Sequence, residues 1–105
     1  MSDVENSQQD PRMALPPASF AFIVLSLRAQ AEMQLGLMRF DEQEQSEPDL
    51  LLARHTIDTM AVLQEKTKGN LTMEEQRLLE NSLTELRFRF VQASEESADA
   101  SSQKA

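Results

Sequence analysis

The sequence predicts an all-α protein of three helices, the last two forming a tight antiparallel helical hairpin between disordered acidic termini. Apolar residues recur at helical spacing in three segments, and only Leu86, Phe88 and Phe90 alternate briefly as a strand would. A chain of 105 residues is normally one small domain. We place that helical domain at 18–93. The tails at 1–17 and 94–105 are predicted to be disordered, since both are polar and low in large apolar residues.

A short joint between two helices is the clearest local signal in the chain. Lysines fall in the last turn of the first helix of the hairpin, where cations favour the negative end of the helix dipole. Gly69 suits the left-handed residue that closes a helix. Thr72 and Glu75 have the spacing of a capping box, which predicts that a new helix starts at once. The predicted joint residues are Lys66, Lys68, Gly69, Asn70, Thr72 and Glu75.

The same cap and turn signals set the expected bounds of the helices. The first helix is predicted over 18–40, with Ser19 as its N-cap. Gly36 either ends this helix or lies inside it, and both alternatives stay open. An acidic linker follows at 41–47. The second helix is predicted over 48–68, with Pro48 at its first position and Ser46 as its cap, and the third over 72–93.

The third helix carries a narrow apolar stripe, and we expect it to pack on the second helix. The stripe residues follow a four-three-four spacing typical of a coiled-coil seam, at Leu79, Leu83, Leu86 and Phe90. The facing stripe on the second helix is broader, and its members are Leu50, Ala53, Ile57, Met60 and Ala61.

The first helix differs because it is apolar on two sides. One side consists of Phe20, Ile23, Val24, Leu27, Ala31 and Leu35, and the other of Phe22, Leu25, Ala29 and Met33. A hairpin covers one of these sides, whereas a helix that is apolar on both is usually buried on both. We therefore predict an interaction surface at Phe22, Leu25 and Met33, together with Phe88. The partner is a protein, most simply a second copy in a homo-oligomer. The alternative is that the first helix lies across the hairpin and buries both sides itself.

Composition disfavours several functional classes. The formal charge of −8 disfavours nucleic acid as a partner, because nucleic-acid binding draws on clustered basic residues. The run from Ala18 to Leu27 is too short to span a membrane, and the first helix lacks the Lys and Arg enrichment of membrane-surface helices. The chain has no cysteine, and its first residues are polar and acidic. We therefore expect a cytoplasmic location.

The residues offer little support for catalysis. His55 is the only histidine, and Asp58 lies one helical turn after it, with Arg54 adjacent. These three residues are the alternative site, a small-ligand or catalytic centre. Metal and catalytic histidines normally sit among several converging ligands, and the chain offers no second histidine. We therefore predict a non-enzymatic protein with no cofactor, no metal and no small-molecule ligand.

Several short strings in the chain resemble a known family. They are Phe20, Phe22-Ile, Ser26-Leu, Leu35-Gly, Thr56-Ile-Asp, Leu63-Gln-Glu-Lys-Thr-Lys-Gly-Asn-Leu-Thr, Glu74-Glu, Leu78-Leu, Leu86-Arg and Phe90-Val. On these strings, from about Phe20 to Val91, the chain resembles the short bacterial proteins called domain of unknown function 1844. The resemblance implies a small, soluble, helical bacterial protein. It implies no assigned activity and carries over no catalytic residues.

Overall fold

Three helices account for the secondary structure in the described part of the chain. The computed structural model describes residues 14–37 and 47–104, with side chains up to residue 99. The helices are α1 (Phe20–Gln34), α2 (Leu50–Lys66) and α3 (Met73–Lys104), and each packs against the other two. No strand occurs within the described residues. The all-α prediction with three helices is thereby confirmed.

The first helix has the predicted start and an earlier end. Ser19 is its N-cap and accepts a hydrogen bond from the Phe22 backbone N–H at 3.0 Å. The helix ends at Gln34, and Gly36 follows with a φ of 77°. The N–H of Leu37 donates to the Glu32 carbonyl at 2.9 Å, which completes a Schellman motif. Gly36 is therefore the terminating glycine. The predicted extension of the helix toward Phe40 is wrong for the residues up to Leu37. Residues 38–40 lie outside the described residues.

The second helix starts later than predicted. Asp49 is its N-cap and accepts the backbone N–H of Leu52 at 3.1 Å, so Pro48 precedes the helix instead of opening it. The expected cap Ser46, and the acidic linker up to residue 46, lie outside the described residues. A hydrogen bond to α1 fixes this start of α2, because the Asp49 backbone N–H donates to the Gln34 carbonyl at 2.7 Å.

The end of α2 also shifts. It closes at Lys66 instead of Lys68, with Thr67 as C-cap. The Thr67 hydroxyl donates to the Leu63 carbonyl at 2.7 Å, and the Thr67 backbone N–H donates to the same carbonyl at 3.0 Å.

The third helix starts as predicted and continues past its expected end. It runs to Lys104, whereas the sequence predicted an end near Ala93 and a disordered segment at 94–105. The added stretch contains neither Gly nor Pro and consists mainly of Ser, Ala and Glu, of which Ala and Glu are good helix formers. Ala93 is the last buried residue among those of α3 whose side chains are described, and the side chains from 94 to 99 are exposed. Of the predicted N-terminal tail, residues 14–17 are exposed and non-helical, and residues 1–13 lie outside the described residues.

The core lies between all three helices and contains most of both predicted stripes, although Ala61 is only partly buried and is not among the core residues. Its buried apolar members are Val24, Ala31, Leu35, Ala53, Ile57, Met60, Leu79, Leu83, Leu86 and Ala93. Phe90 and Leu50 pack against them and are partly buried. Ser82 is also fully buried, and its Oγ has no hydrogen-bond partner within the described residues. The core thus contains Val24, Ala31 and Leu35 from one apolar side of α1, whereas the other side lies at the surface.

Candidate interaction surface

One side of α1 remains exposed although it is apolar. Phe22, Leu25 and Met33 are 41%, 49% and 47% accessible to solvent. Ala29 lies between them on the helix and is half-buried. We call these four residues the outer α1 face. None of them is charged, and the structure does not bury them against α2 or α3, so the alternative in which α1 buries both of its sides is wrong.

Polar contacts at both flanks of α1 hold the outer α1 face in this orientation. Arg28 Nη2 donates to Glu85 Oε2 of α3 at 2.7 Å, and its Nε lies 3.7 Å from Glu32. Toward α2, the hydroxyl of Thr56 donates to the side-chain oxygen of Gln34 at 2.6 Å, and Thr56 is buried. Since α1 is tied to a different helix on each flank, rotation that would bury the outer α1 face breaks both contacts.

The polar edge of the outer α1 face is already hydrogen-bonded within its own helix. The Ser26 hydroxyl donates to the Phe22 carbonyl at 2.7 Å, although the residue is exposed. A hydroxyl with a partner loses little when a neighbour covers it. This edge therefore tolerates burial against another surface.

Ile23 lies outside the core, contrary to the prediction. It was expected on the buried side of α1 with Val24, yet it is 47% exposed while Val24 is fully buried. The two residues are adjacent and point about 100° apart around the helix, so α2 and α3 cover an arc that excludes Ile23. The exposed apolar region of α1 is therefore wider than the sequence indicates.

Phe88 is exposed on α3, as its position away from the Leu79 stripe indicates. It is 60% accessible, and Val91 is 52% accessible. Phe88 lies one turn after Glu85, the residue that binds Arg28 of α1. Phe88 is thus one helical turn from the α1–α3 contact, on the solvent side of α3.

The joint residues act as structural residues in the described geometry. The Glu75 N–H donates to the Thr72 hydroxyl at 3.1 Å, and the Thr72 N–H donates to the Glu75 carboxylate at 2.8 Å. These two bonds are the predicted capping box. Gly69 has a φ of 81°, as a helix-terminating glycine requires.

The remaining joint side chains lie on the surface. Lys66, the last residue of α2, is exposed, and the Lys68 ammonium lies 3.6 Å from the Glu65 carboxylate. Asn70 is exposed, and its N–H donates to the Thr67 carbonyl at 2.9 Å. A cavity of about 160 Å³ lies beside them, lined in part by Gln64, Gly69 and Leu79. The contacts at the joint turn the chain and indicate no chemistry.

The residues around His55 do not assemble into a centre. His55 is exposed, and its carbonyl accepts the Thr59 hydroxyl at 2.8 Å. Arg54 and Asp58 lie 3.9 Å apart, and both are largely exposed. No group of three His, Cys, Asp or Glu side chains in the described ranges is placed to hold a metal ion.

The sequence did not predict a second, shallow cavity between α2 and α3. It measures about 180 Å³, and its lining residues are Arg54, Ile57, Asp58, Arg87, Phe90 and Val91. His55 does not line it. The cavity joins residues of α2 and α3 that are 29 to 37 positions apart in the chain, so helical spacing within one segment cannot reveal it.

The fold and the exposed face define a small all-α protein in which one apolar face of the first helix is exposed. The chain belongs to the family described as Domain of unknown function (DUF1844), whose model matches residues 17–92. That family has no assigned activity. No curated protein and no solved structure matches the chain. Within the described residues, none of the helices combines the length and the apolar character that crossing a membrane requires.

Proposed function

We propose that this protein is a non-enzymatic interaction module that binds another protein chain through the outer α1 face. The observation that carries the proposal is the exposure of Phe22, Leu25 and Met33 on one uncharged strip. Each large apolar side chain left in water forgoes roughly 1.5–3 kcal/mol of burial free energy. A partner that covers the strip recovers part of that free energy.

The scaffold for this surface is an antiparallel pairing of α2 and α3. Gln64, near the end of α2, shares a cavity with Leu79, near the start of α3. Arg54, near the start of α2, shares the other cavity with Phe90, farther along α3. These two pairings support opposite directions for the two helices. The hairpin would then act as a rigid support on which α1 is displayed.

The chemistry of the chain supports binding over catalysis. The strip contains no group that transfers protons or attacks a substrate, and the exposed His55 has no assembled neighbours among the described residues. A cysteine-free chain also suits a reducing compartment, so we place the interaction in the cytoplasm.

A photo-crosslinking amino acid at position 22, introduced in the native cell, tests the proposal. We expect Phe22 to give covalent adducts with a protein chain. The same probe at Leu51 is the control, because Leu51 is also a large apolar residue and is 81% exposed, but lies on α2. Equal crosslinking from both positions, or none from position 22, would contradict the proposal.

A further inference from the structure

We infer that the shallow cavity between α2 and α3 binds a small organic monocarboxylate, with two arginine side chains at the carboxylate and an apolar floor under the hydrocarbon body of the ligand. This site differs from the expectation of no small-molecule ligand, which rests on residues within single helices. It lies apart from the outer α1 face, so the inference does not depend on the proposed function.

The cavity lies on the side of the α2–α3 pair that α1 leaves open. Thr56 of α2 and Glu85 of α3 both form side-chain hydrogen bonds to α1. Residues two positions apart in a helix point about 160° away from each other. Arg54, two positions before Thr56, and Arg87, two positions after Glu85, therefore point away from α1. Both arginines line the cavity, so a ligand reaches them from solvent.

The floor of the cavity is apolar and is held in place by the core. Arg54 precedes Ile57 by three positions in α2, and Arg87 precedes Phe90 by three positions in α3. All four residues line the cavity, together with Val91. Ile57 is buried and Phe90 is partly buried against the core, whereas both arginines are exposed. A ligand that fits this arrangement has an apolar body for the floor and an anionic group for the rim.

The charges at the rim match a ligand with one negative charge. Arg54, Arg87 and Asp58 are the charged residues that line the cavity, so two positive charges and one negative charge leave +1. The Arg54 Nε lies 3.9 Å from Asp58 Oδ2, which is too far for a hydrogen bond. Arg87 forms no ion pair with another described residue. Both guanidinium groups therefore retain donors for a carboxylate, the planar anion that they bind best.

The charge of the rest of the chain disfavours larger anions. The formal charge of the whole protein is −8, so a polyanion that extends beyond the cavity is repelled, whereas a monocarboxylate meets only the local positive charge. The cavity measures about 180 Å³, below the roughly 300–1,000 Å³ of typical ligand pockets. We therefore expect a small ligand and weak binding, with a dissociation constant of about 1–10 mM for hexanoate.

Titration of the full chain with hexanoate at constant ionic strength, followed by backbone amide shifts in NMR spectra, tests the inference. Acetate carries the carboxylate without the apolar body, and hexanamide carries the body without the charge. We expect hexanoate to shift the amides around Arg54, Arg87 and Phe90. We also expect it to bind roughly tenfold more tightly than either control compound.

Matched substitutions separate a specific site from general attraction to positive charge. Arg87→Gln should weaken hexanoate binding roughly five- to tenfold. Arg89→Gln makes the same charge change at an exposed residue that does not line the cavity, and should weaken binding by less than about twofold. Asp58→Asn should instead tighten binding roughly two- to fivefold, because it removes the carboxylate that competes for Arg54.

Three results would overturn the inference. Equal losses of affinity in Arg87→Gln and Arg89→Gln would reduce the attraction to net charge. Shifts confined to the amides of Phe22 and Leu25 would place hexanoate on the outer α1 face. Absence of shifts at about 50 mM hexanoate, well above the expected dissociation constant, would exclude the site. None of these outcomes changes crosslinking from position 22, so the proposed function is tested separately.

Discussion

Arg28 of α1 and Glu85 of α3 form a hydrogen-bonded ion pair at 2.7 Å, although 57 positions separate them in the chain. The two side chains retain 26% and 46% of their exposure. The pair joins α1 to α3 on one flank, while Gln34 joins α1 to α2 on the other. The direction in which α1 presents its outer face depends on these two contacts.

Removal of the Arg28–Glu85 pair should cost a modest amount of stability. We expect a coupling free energy of about 0.5–1 kcal/mol in a double-mutant cycle of Arg28→Ala and Glu85→Ala, since the pair is short but partly solvated. Urea unfolding of the four proteins measures it. The exposed, longer Arg54–Asp58 pair at 3.9 Å is the control and should give a smaller coupling. Equal couplings for the two pairs would argue against a role for Arg28 in holding α1.

Removal of the capping box at the joint should cost more stability than removal of the Arg28–Glu85 pair. Thr72→Ala removes the acceptor for the Glu75 N–H and should destabilise the protein by roughly 0.5–2 kcal/mol. Thr59→Ala is a matched control, because that exposed hydroxyl donates only to a carbonyl of its own helix. Thermal unfolding of both variants should show a clear drop for Thr72→Ala alone. A similar drop in melting temperature for both variants would mean that the capping box contributes no more to stability than an ordinary hydroxyl on a helix surface.

Gly69 should be required because its backbone is in the left-handed conformation, and not because neighbouring atoms leave no room for a side chain. A Cβ added there would meet no atom within 4 Å, while φ is 81°. Gly69→Ala should therefore cost about 1–2 kcal/mol through the left-handed conformation alone. Gly69→Asn should cost less, because asparagine tolerates that conformation better than alanine does. If chemical denaturation ranked Asn below Ala, the conformational explanation would fail.

Ser82 offers a substitution that should stabilise the protein. Its hydroxyl oxygen is buried without a partner in the described part of the chain, and Ser82→Ala removes that unpaired group while improving helix propensity. We expect a gain of about 0.5–1.5 kcal/mol in the free energy of unfolding. Ser94→Ala, on the exposed side of the same helix, isolates the propensity contribution. A loss of stability in Ser82→Ala would indicate that the hydroxyl has a partner after all.

The outer α1 face should be dispensable for folding. Leu25→Glu with Met33→Glu places carboxylates at positions that are 49% and 47% exposed, so we expect the free energy of unfolding to change by no more than about 1 kcal/mol. Leu83→Ala, at a position that is 1% exposed, should instead cost about 2–5 kcal/mol. Circular dichroism melts compare the two. Collapse of the double glutamate variant would place these residues in the core.

Local signals in the sequence predict the parts of the fold that depend on neighbouring residues. The Ser19 cap, the Thr72–Glu75 capping box and the left-handed Gly69 all involve residues within a few positions of each other. The buried stripe at Leu79 and Leu83 likewise follows from helical spacing. Such features need no knowledge of the tertiary structure.

Features that depend on contacts between helices could not be predicted from the sequence. Asp49 replaces Ser46 and Pro48 at the start of α2, where its N–H bonds to the distant Gln34 carbonyl. The exposure of Ile23 depends on which arc of a two-sided helix its neighbours cover. The continuation of α3 past Ala93 buries no side chain from 94 to 99, so the sequence has no apolar pattern there from which a helix could be predicted.

The surface at Phe22, Leu25 and Met33 was predictable as an uncovered apolar side of α1. The partner that binds this surface could not be predicted, because an apolar strip does not specify which molecule covers it.

Photo-crosslinking from Phe22 in two backgrounds tests the central claim most directly. The backgrounds are the wild-type chain and the Leu25→Glu, Met33→Glu variant, compared in the native cell at equal levels of folded protein. If the outer α1 face is the interaction surface, adducts form in the wild-type background and disappear in the variant. If the adducts persist in the variant, or never form in the wild type, the outer α1 face is not a binding surface.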